Sequence, residues 1–183
     1  RTVHKNLGNI MLGFSILMTG MQTMSGAVAP LKESPVFVDM LTMFSNPLAG
    51  ILVGILFTAV LQSASATVGV LQALSVTGLL TFASAFPIVL GIGVGAACPV
   101  LISAIGANKN GKRTALVYLL NDLFGLVVWS VIFYTVNAFV HFTFMDMVMS
   151  PVSIALLNTV FRVATVCVLF PFIPKLEQLV CYL

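Results

Sequence analysis

The chain has 183 residues, of which 60% are hydrophobic and 7% charged, and its mean hydropathy is +1.13. An ordinary globular domain is about 45–50% apolar and about 25% charged, and 8 basic with 5 acidic side chains cannot cover a water-facing surface of this size. These figures exclude a soluble enzyme, a nucleic-acid binder and a disordered tail, and leave an integral membrane protein or part of one. The net charge of +3 carries no partner preference, because Lys and Arg in membrane proteins chiefly set orientation. Cys98, Cys167 and Cys181 have no metal-ligand spacing. The chain opens on Arg1 rather than Met, which reads as a fragment.

Four apolar stretches have the ~20 residues that a helix needs to cross hydrocarbon: 7–28, 86–106, 114–139 and 152–173. The first is too long for a cleavable signal peptide and lacks its small-residue cleavage site. After it, Pro35 suits a first helical position. Val36, Phe37, Met40, Leu41, Met43 and Phe44 then alternate with Ser34, Asp39 and Ser45, so 35–45 reads as an amphipathic helix lying in the interface.

No charged residue occurs between Asp39 and Lys109. Within that run, 47–61 is apolar but too short to span, and Gln62-Ser63-Ala64-Ser65-Ala66-Thr67 interrupts it before a second apolar piece to Phe82. Two short arms around a polar break read as a re-entrant helical hairpin over 47–82, with non-helical backbone at a depth where only protein or a water-filled cavity can surround it. The alternative is two short complete spans with a serine-rich kink.

Charge asymmetry favours an even number of crossings there. With Arg1 and Lys5 inside, Lys109, Lys112, Arg113 and Lys175 also fall inside, Lys32 falls outside and Arg162 lies within the membrane. A single crossing by the hairpin segment would put the Lys109–Arg113 cluster outside, against the positive-inside rule. The expected architecture is therefore one all-α membrane domain over 1–183: about four full spans plus a re-entrant hairpin, both termini cytoplasmic, in the inner (plasma) membrane. Gly50-xxx-Gly54 and Gly91-xxx-Gly95 fit the small-xxx-small pattern of close helix packing in lipid. The glycine density at Gly91, Gly93 and Gly95, followed by Pro99, suggests a broken or loosened helix at depth.

Gln62, Ser63, Ser65 and Thr67 place four hydrogen-bonding side chains within six positions of a charge-free region, which is costly against lipid. At a helical break such hydroxyls and amides can replace an ion's water shell. The free N–H groups of a returning half-helix favour an anion, and the end carbonyls of the incoming arm suit Na⁺. Alternatively the hydroxyls bond to carbonyls one turn back and bend a helix.

The segment Thr58-Ala59-Val60-Leu61-Gln62-Ser63-Ala64-Ser65-Ala66-Thr67 resembles the Gln-Ser-Ser-Ser motif of the type II sodium–phosphate cotransporter family, whose bacterial members often carry a PhoU-like domain. Three further elements occur in the family's order: Gly91-Ile92-Gly93-Val94-Gly95-Ala96-Ala97; Lys112-Arg113-Thr114-Ala115-Leu116 leading to Leu119-Leu120-Asn121-Asp122-Leu123-Phe124-Gly125; and Ala155 to Arg162 with Phe170-Pro171-Phe172. The resemblance covers most of the chain but only one repeat, and by element order the second, of a family built from two inverted repeats. It implies Na⁺-coupled uptake of inorganic phosphate by alternating access, with a second repeat or a second copy as partner and no cofactor beyond the coupling ion. It further implies that Gln62, Ser63, Ser65 and Thr67, with Gly93 and Gly95, bind substrate or ion, and that Na⁺ sits near Gln62, Ser63 and Ser65. Ala64 stands where the family has a central serine, and Gly93, Ala96 and Ala97 where it has an Asn and two Thr. A non-transporting or different-anion half-transporter with a depleted site is the alternative.

Asp122 and Arg162 are charges inside the membrane, which are expensive and ordinarily pair or face a cavity. They sit on consecutive antiparallel spans, so they read either as an ion pair joining two helices or as a guanidinium fork for phosphate beside a carboxylate that helps hold Na⁺. Asn158 can bond across helices or line the site. Lys109, Lys112 and Arg113 set orientation and can meet lipid headgroups. Intramembrane proteolysis is not expected: His4 and His141 lie near span ends, away from any deep serine, and Asp122 is the one acidic residue at depth.

Overall fold

A computed structural model describes residues 2–182, apart from the side chains of Thr2, Leu31, Lys32, Met40, Glu177, Leu179, Cys181 and Tyr182. The expectations placed on Arg1, Lys32, Met40 and Cys181 therefore lie outside the described residues. Helix α1 (Thr2–Val28) leads through a 3-10 turn, Ala29–Glu33, to α2 (Pro35–Met43). Helices α3 (Pro47–Leu61) and α4 (Ala64–Ser75) are followed by α5 (Phe82–Ala104), α6 (Lys109–Val140), α7 (Pro151–Leu169) and α8 (Ile173–Tyr182). The chain is all-α, as its composition and periodicity require.

Capping residues define the starts. Asn46 accepts a hydrogen bond from the Leu48 N–H, Asn108 from the Gly111 N–H and Ser150 from the Ser153 N–H, satisfying donors that a helix start leaves open. Pro35, Pro47 and Pro151 stand in the first turns of α2, α3 and α7, where a missing N–H costs nothing.

Among the described residues three helices are long and apolar enough to cross a membrane: Phe82–Ala104, Lys109–Val140 and Pro151–Leu176, the last running on past α7. A sharply bent α2–α3 pair makes a fourth if counted as one span. Helix α1 is not among them, because Asn9, Thr19, Gln22, Thr23 and Ser25 dilute its apolar residues; most of its large apolar side chains from Val3 to Leu17 are exposed.

The most extensive helix contact joins α3 to α5, and glycine makes it possible. A Cβ on Gly54 would strike the Ile88 carbonyl, and one on Gly91 the Ile51 carbonyl. One on Gly95 would lie 2.5 Å from the Ile55 oxygen and 2.7 Å from Thr58 Cβ, and one on Gly50 2.6 Å from Pro87 Cγ. The pairs Gly50–Pro87, Gly54–Gly91 and Thr58–Gly95 show α3 running parallel to α5 in direct backbone contact, as small residues permit in lipid.

This corrects the expectation of a broken or loosened helix around Gly91, Gly93 and Gly95. Helix α5 is continuous from Phe82 to Ala104 with Pro87 and Pro99 inside it, and the glycines serve close approach instead. Other boundaries shift by a few residues. The second hairpin arm ends at Ser75 rather than near Phe82, because Gly78, at φ +77°, turns the chain into α5.

Helix α4 runs back towards the start of α5. Gln72 Nε2 donates to the Pro151 carbonyl at 2.9 Å. The Phe82 N–H donates to Met147 O and the Met149 N–H to Leu80 O, which ties the α4–α5 and α6–α7 connections together at one end. Leu71, Leu80, Ile88, Val89, Ile92, Met149 and Ile154 form the core beneath them. A Gln72→Met substitution should destabilise the fold by about 0.6 kcal/mol, the mean for an interhelical hydrogen bond in a membrane protein; unfolding in mixed micelles, followed by the fluorescence of Trp129, measures it.

Candidate functional site

Helices α3 and α4 meet at a two-residue break, Gln62–Ser63, so the predicted polar cluster stands at the tip of a helical hairpin. Gln62 ends α3 in the left-handed region, φ 54° and ψ 22°, with its N–H donated to Thr58 O at 2.7 Å. Ser63 is extended and caps α4: its Oγ accepts from the Ala66 N–H at 3.3 Å and lies 3.2 Å from Ser65 Oγ. Thr67, which is buried, donates its hydroxyl to the Ser63 carbonyl at 3.0 Å. Gln62 and Ser65 are exposed and Ser63 is half-buried.

The break therefore sets the carbonyl end of one helix against the amide end of another. End carbonyls of α3 and the first N–H groups of α4 lack intrahelical partners, and their partial charges have opposite sign. Serine hydroxyls, which can donate or accept, stand between them. Of the four side chains, Thr67 is engaged with backbone one turn back, the role weighed as the alternative for the whole cluster. Gln62 and Ser65 face outward, while the half-buried Ser63 turns its Oγ to the Ala66 N–H and Ser65 Oγ.

Gly93 and Gly95 lie on different faces of α5. Gly95 is against Ile55 and Thr58 of α3, whereas a Cβ on Gly93 would sit 3.6 Å from Asp122 Cγ on α6. Asp122 is buried; its Oδ1 accepts from Asn121 Nδ2 at 3.1 Å and its Oδ2 has no hydrogen-bond partner. Arg162, half-buried on α7, makes no hydrogen bond to that free oxygen. One turn earlier on α7, Asn158 Oδ1 is also buried and unpartnered.

Sequence reasoning missed Thr58. Its side chain is fully buried against Gly95 and its Oγ1 has no hydrogen-bond partner. Buried polar atoms are nearly always satisfied, so an orphaned hydroxyl one turn before the tip points to a partner from outside the chain. The only signal in the sequence was a lone threonine among apolar residues, which reads equally well as one more core position.

A family model for the Na+/Pi-cotransporter matches residues 32–155, from before α2 into α7. The chain belongs to that family. It is 34% identical over 113 residues to sodium-dependent phosphate transport protein 2A of Rattus norvegicus, covering 57% of this chain and 17% of the rat protein. It is 27% identical over 112 residues to sodium-dependent phosphate transport protein 2B of Homo sapiens, covering 60% of this chain and 16% of that one. The bacterial protein YqeW of Bacillus subtilis (strain 168) is 24% identical over 125 residues, 68% of this chain and 41% of YqeW. The chain thus spans less than half the length of each of these relatives. No solved structure matches it. The family match takes in the hairpin, α5 and α6, so the tip and Asp122 lie inside it, whereas Arg162 lies beyond its end.

Proposed function

We propose that this chain is one repeat of a secondary transporter that moves inorganic phosphate together with Na⁺ across the membrane by alternating access. The observation that carries the reading is the hairpin tip, where two helix ends of opposite polarity and the Ser63 and Ser65 hydroxyls converge at one break. The hairpin enters the membrane and turns back, so that its tip faces a second repeat across a water-filled cavity. That second repeat is another copy of this chain or a separate first half, and a PhoU-like domain is a further partner of the assembly.

In this arrangement Ser63, Ser65 and Gln62 take over phosphate's hydration, aided by the amide end of α4. Na⁺ lies near the carbonyl end of α3 and lowers the charge that phosphate brings with it. Pro99 has no N–H, so the Gly95 carbonyl one turn back lacks its helical donor and can serve as a further Na⁺ ligand beside Thr58 Oγ1. Asp122, whose Oδ1 is turned towards Gly93 and whose Oδ2 has no hydrogen-bond partner, supplies negative charge on the other face of α5, and Arg162 offers phosphate a guanidinium fork. No bond is made or broken, so the protein acts as a carrier rather than an enzyme. With α1, whose 27 residues are long enough to cross although polar residues dilute it, taken as a fourth crossing ahead of the re-entrant hairpin, both termini face the cytoplasm, the membrane is the inner (plasma) membrane and six basic residues lie on the inner side.

Radiolabelled phosphate uptake into proteoliposomes holding the full assembly tests this. Uptake that rises at least several-fold when an inward Na⁺ gradient is imposed supports the reading, and no uptake from a folded assembly under either condition overturns it. The absence of a central hydroxyl at Ala64, and of side-chain oxygen at Gly93, Ala96 and Ala97, favours as second reading a site that takes a different anion. Na⁺-driven uptake of sulfate with none of phosphate would establish that reading instead.

A further inference from the structure

We infer that Asp122 and Arg162 form a split ion pair that obliges cation and anion to bind together. Arg162 receives the oxyanion, Asp122 receives a Na⁺ additional to the one at the carbonyl end of α3, and in the unloaded carrier the two side chains close on each other. The inference rests on the transport reading above and adds how the two solutes are coupled. Gly125 of α6 packs between Phe161 and Thr165 of the antiparallel α7: a Cβ there would lie 2.8 Å from Thr165 Cγ2 and 3.4 Å from Phe161 Cζ. Trp129 Nε1 donates to Thr165 Oγ1 at 2.9 Å across the same seam. The level of Gly125 on α7 is therefore midway between Phe161 and Thr165. Asp122 lies three residues to one side of that level and Arg162 one residue to the other, an offset of about 6 Å at 1.5 Å per residue, which the long stem of an arginine crosses. Both also border one turn of α5: Asp122 Oδ1 is turned towards Gly93, and Phe161, next to Arg162, packs in one cluster with Leu90.

The bonding capacity of these groups is unspent. Asp122 is 7% exposed, and its Oδ2 has no hydrogen-bond partner while Oδ1 is held by Asn121 Nδ2. Asn158 Oδ1, one turn before Arg162, is likewise buried and unpartnered. Arg162 is half-buried and makes no hydrogen bond to Asp122 Oδ2. Buried polar atoms are nearly always satisfied, and a charge inside a membrane ordinarily has a counter-charge or faces a cavity. Opposite charges within reach of each other yet unjoined are the open form of a pair, in which each is free for a solute of the other sign. A guanidinium presents the same parallel N–H donors to a carboxylate and to a phosphate, so closing on Asp122 and holding the anion exclude each other. Phosphate arriving alone would draw Arg162 away and leave Asp122 bare, and Na⁺ arriving alone would leave Arg162 bare. Leaving one member of a buried pair without its partner is strongly unfavourable. Joint arrival matches both charges, so each solute raises the affinity for the other by the same factor.

Equilibrium binding of radiolabelled Na⁺ and inorganic phosphate to the full assembly in detergent micelles tests the inference. Saturating Na⁺ should tighten phosphate binding to the unmodified protein about tenfold or more. Asp122→Asn takes away the internal partner of Arg162, and should raise the phosphate affinity measured without Na⁺ by about tenfold. Arg162→Gln should in the same way raise the Na⁺ affinity measured without phosphate. In D122N/R162Q the mutual enhancement should fall several-fold below that of the unmodified protein. A pair that merely locks α6 to α7 would lower stability on substitution and raise neither affinity. Circular dichroism confirms that each variant is folded, and Asp122→Asn alone decides should an Arg162 variant fail to fold. A phosphate affinity without Na⁺ that is unchanged or lower in folded Asp122→Asn overturns the inference and leaves the transport reading standing. So does an enhancement in the double variant as large as in the unmodified protein. An unmodified protein that binds neither solute overturns the transport reading, and this inference with it.

Discussion

Replacing Ser63 with alanine is expected to reduce Na⁺-driven phosphate uptake by the full assembly about tenfold or more. The substitution removes two things at once. Ser63 Oγ accepts the Ala66 N–H and pairs with Ser65 Oγ, so α4 loses its cap, worth about 1 kcal/mol. A solute oxyanion also loses a donor, and a hydrogen bond to a charged group contributes about 1.5–3 kcal/mol, which is about tenfold to a hundredfold in affinity. The rescue separates these effects. Ser63→Thr keeps a hydroxyl and a competent cap, and should restore most of the uptake. Ser63→Asp also caps α4 but adds a negative charge where an anion is to bind, and should restore the stability without the transport. Uptake measured beside thermal stability distinguishes a site residue from a cap alone; equal uptake by Ser63→Ala and the unmodified protein would remove Ser63 from the site.

The second large effect is expected at the α3–α5 seam. Gly91→Ala places a methyl group against the Ile51 carbonyl and Gly54→Ala one against the Ile88 carbonyl. The obstacles are backbone, not the ends of flexible side chains, so the helices must separate. Overfilling of this kind typically costs about 1–3 kcal/mol, and here it also tilts the hairpin that carries the tip. Gly69→Ala in α4 is the matched control: no atom lies within 4 Å of the added Cβ, and alanine favours a helix over glycine by about 1 kcal/mol. Thermal unfolding in detergent should therefore lower the midpoint for the first two variants and raise it, or leave it unchanged, for the third. A Gly91→Ala protein as stable as the parent would mean that α3 and α5 do not touch as described.

The parts of the fold legible in the sequence were those governed by local chemistry. Pro35 reads as a first helical residue, and α2 begins there. The charge-free run with its polar interruption marked the hairpin, and Gln62-Ser63 is where the helix breaks: Gln62 takes the left-handed conformation, which costs a non-glycine residue energy, and Ser63 caps the returning helix. What failed to show was register between distant segments. Gly91, Gly93 and Gly95 read as a weak helix because glycine lowers helix propensity, yet α5 stays whole: Gly91 and Gly95 lean on α3, and Gly93 faces Asp122. The same ignorance of partners hid the orphaned hydroxyl of Thr58 and the strand-like tie of Leu80 to Met149, which needs two loops to meet across 69 positions. For Asp122 and Arg162 the sequence supplied the charges, but not that Asp122 would leave one oxygen without a hydrogen bond.

A nitroxide at position 65, attached to Ser65→Cys in a variant with Cys98, Cys167 and Cys181 replaced, gives the most direct measurement when its electron paramagnetic relaxation is read in liposomes. The hairpin account predicts a label at hydrocarbon depth that collides readily with a water-soluble nickel relaxer and weakly with oxygen, the signature of a wet cavity within the bilayer. A label at headgroup depth, or one at depth reached by oxygen and closed to nickel as on a lipid-facing helix, would contradict it.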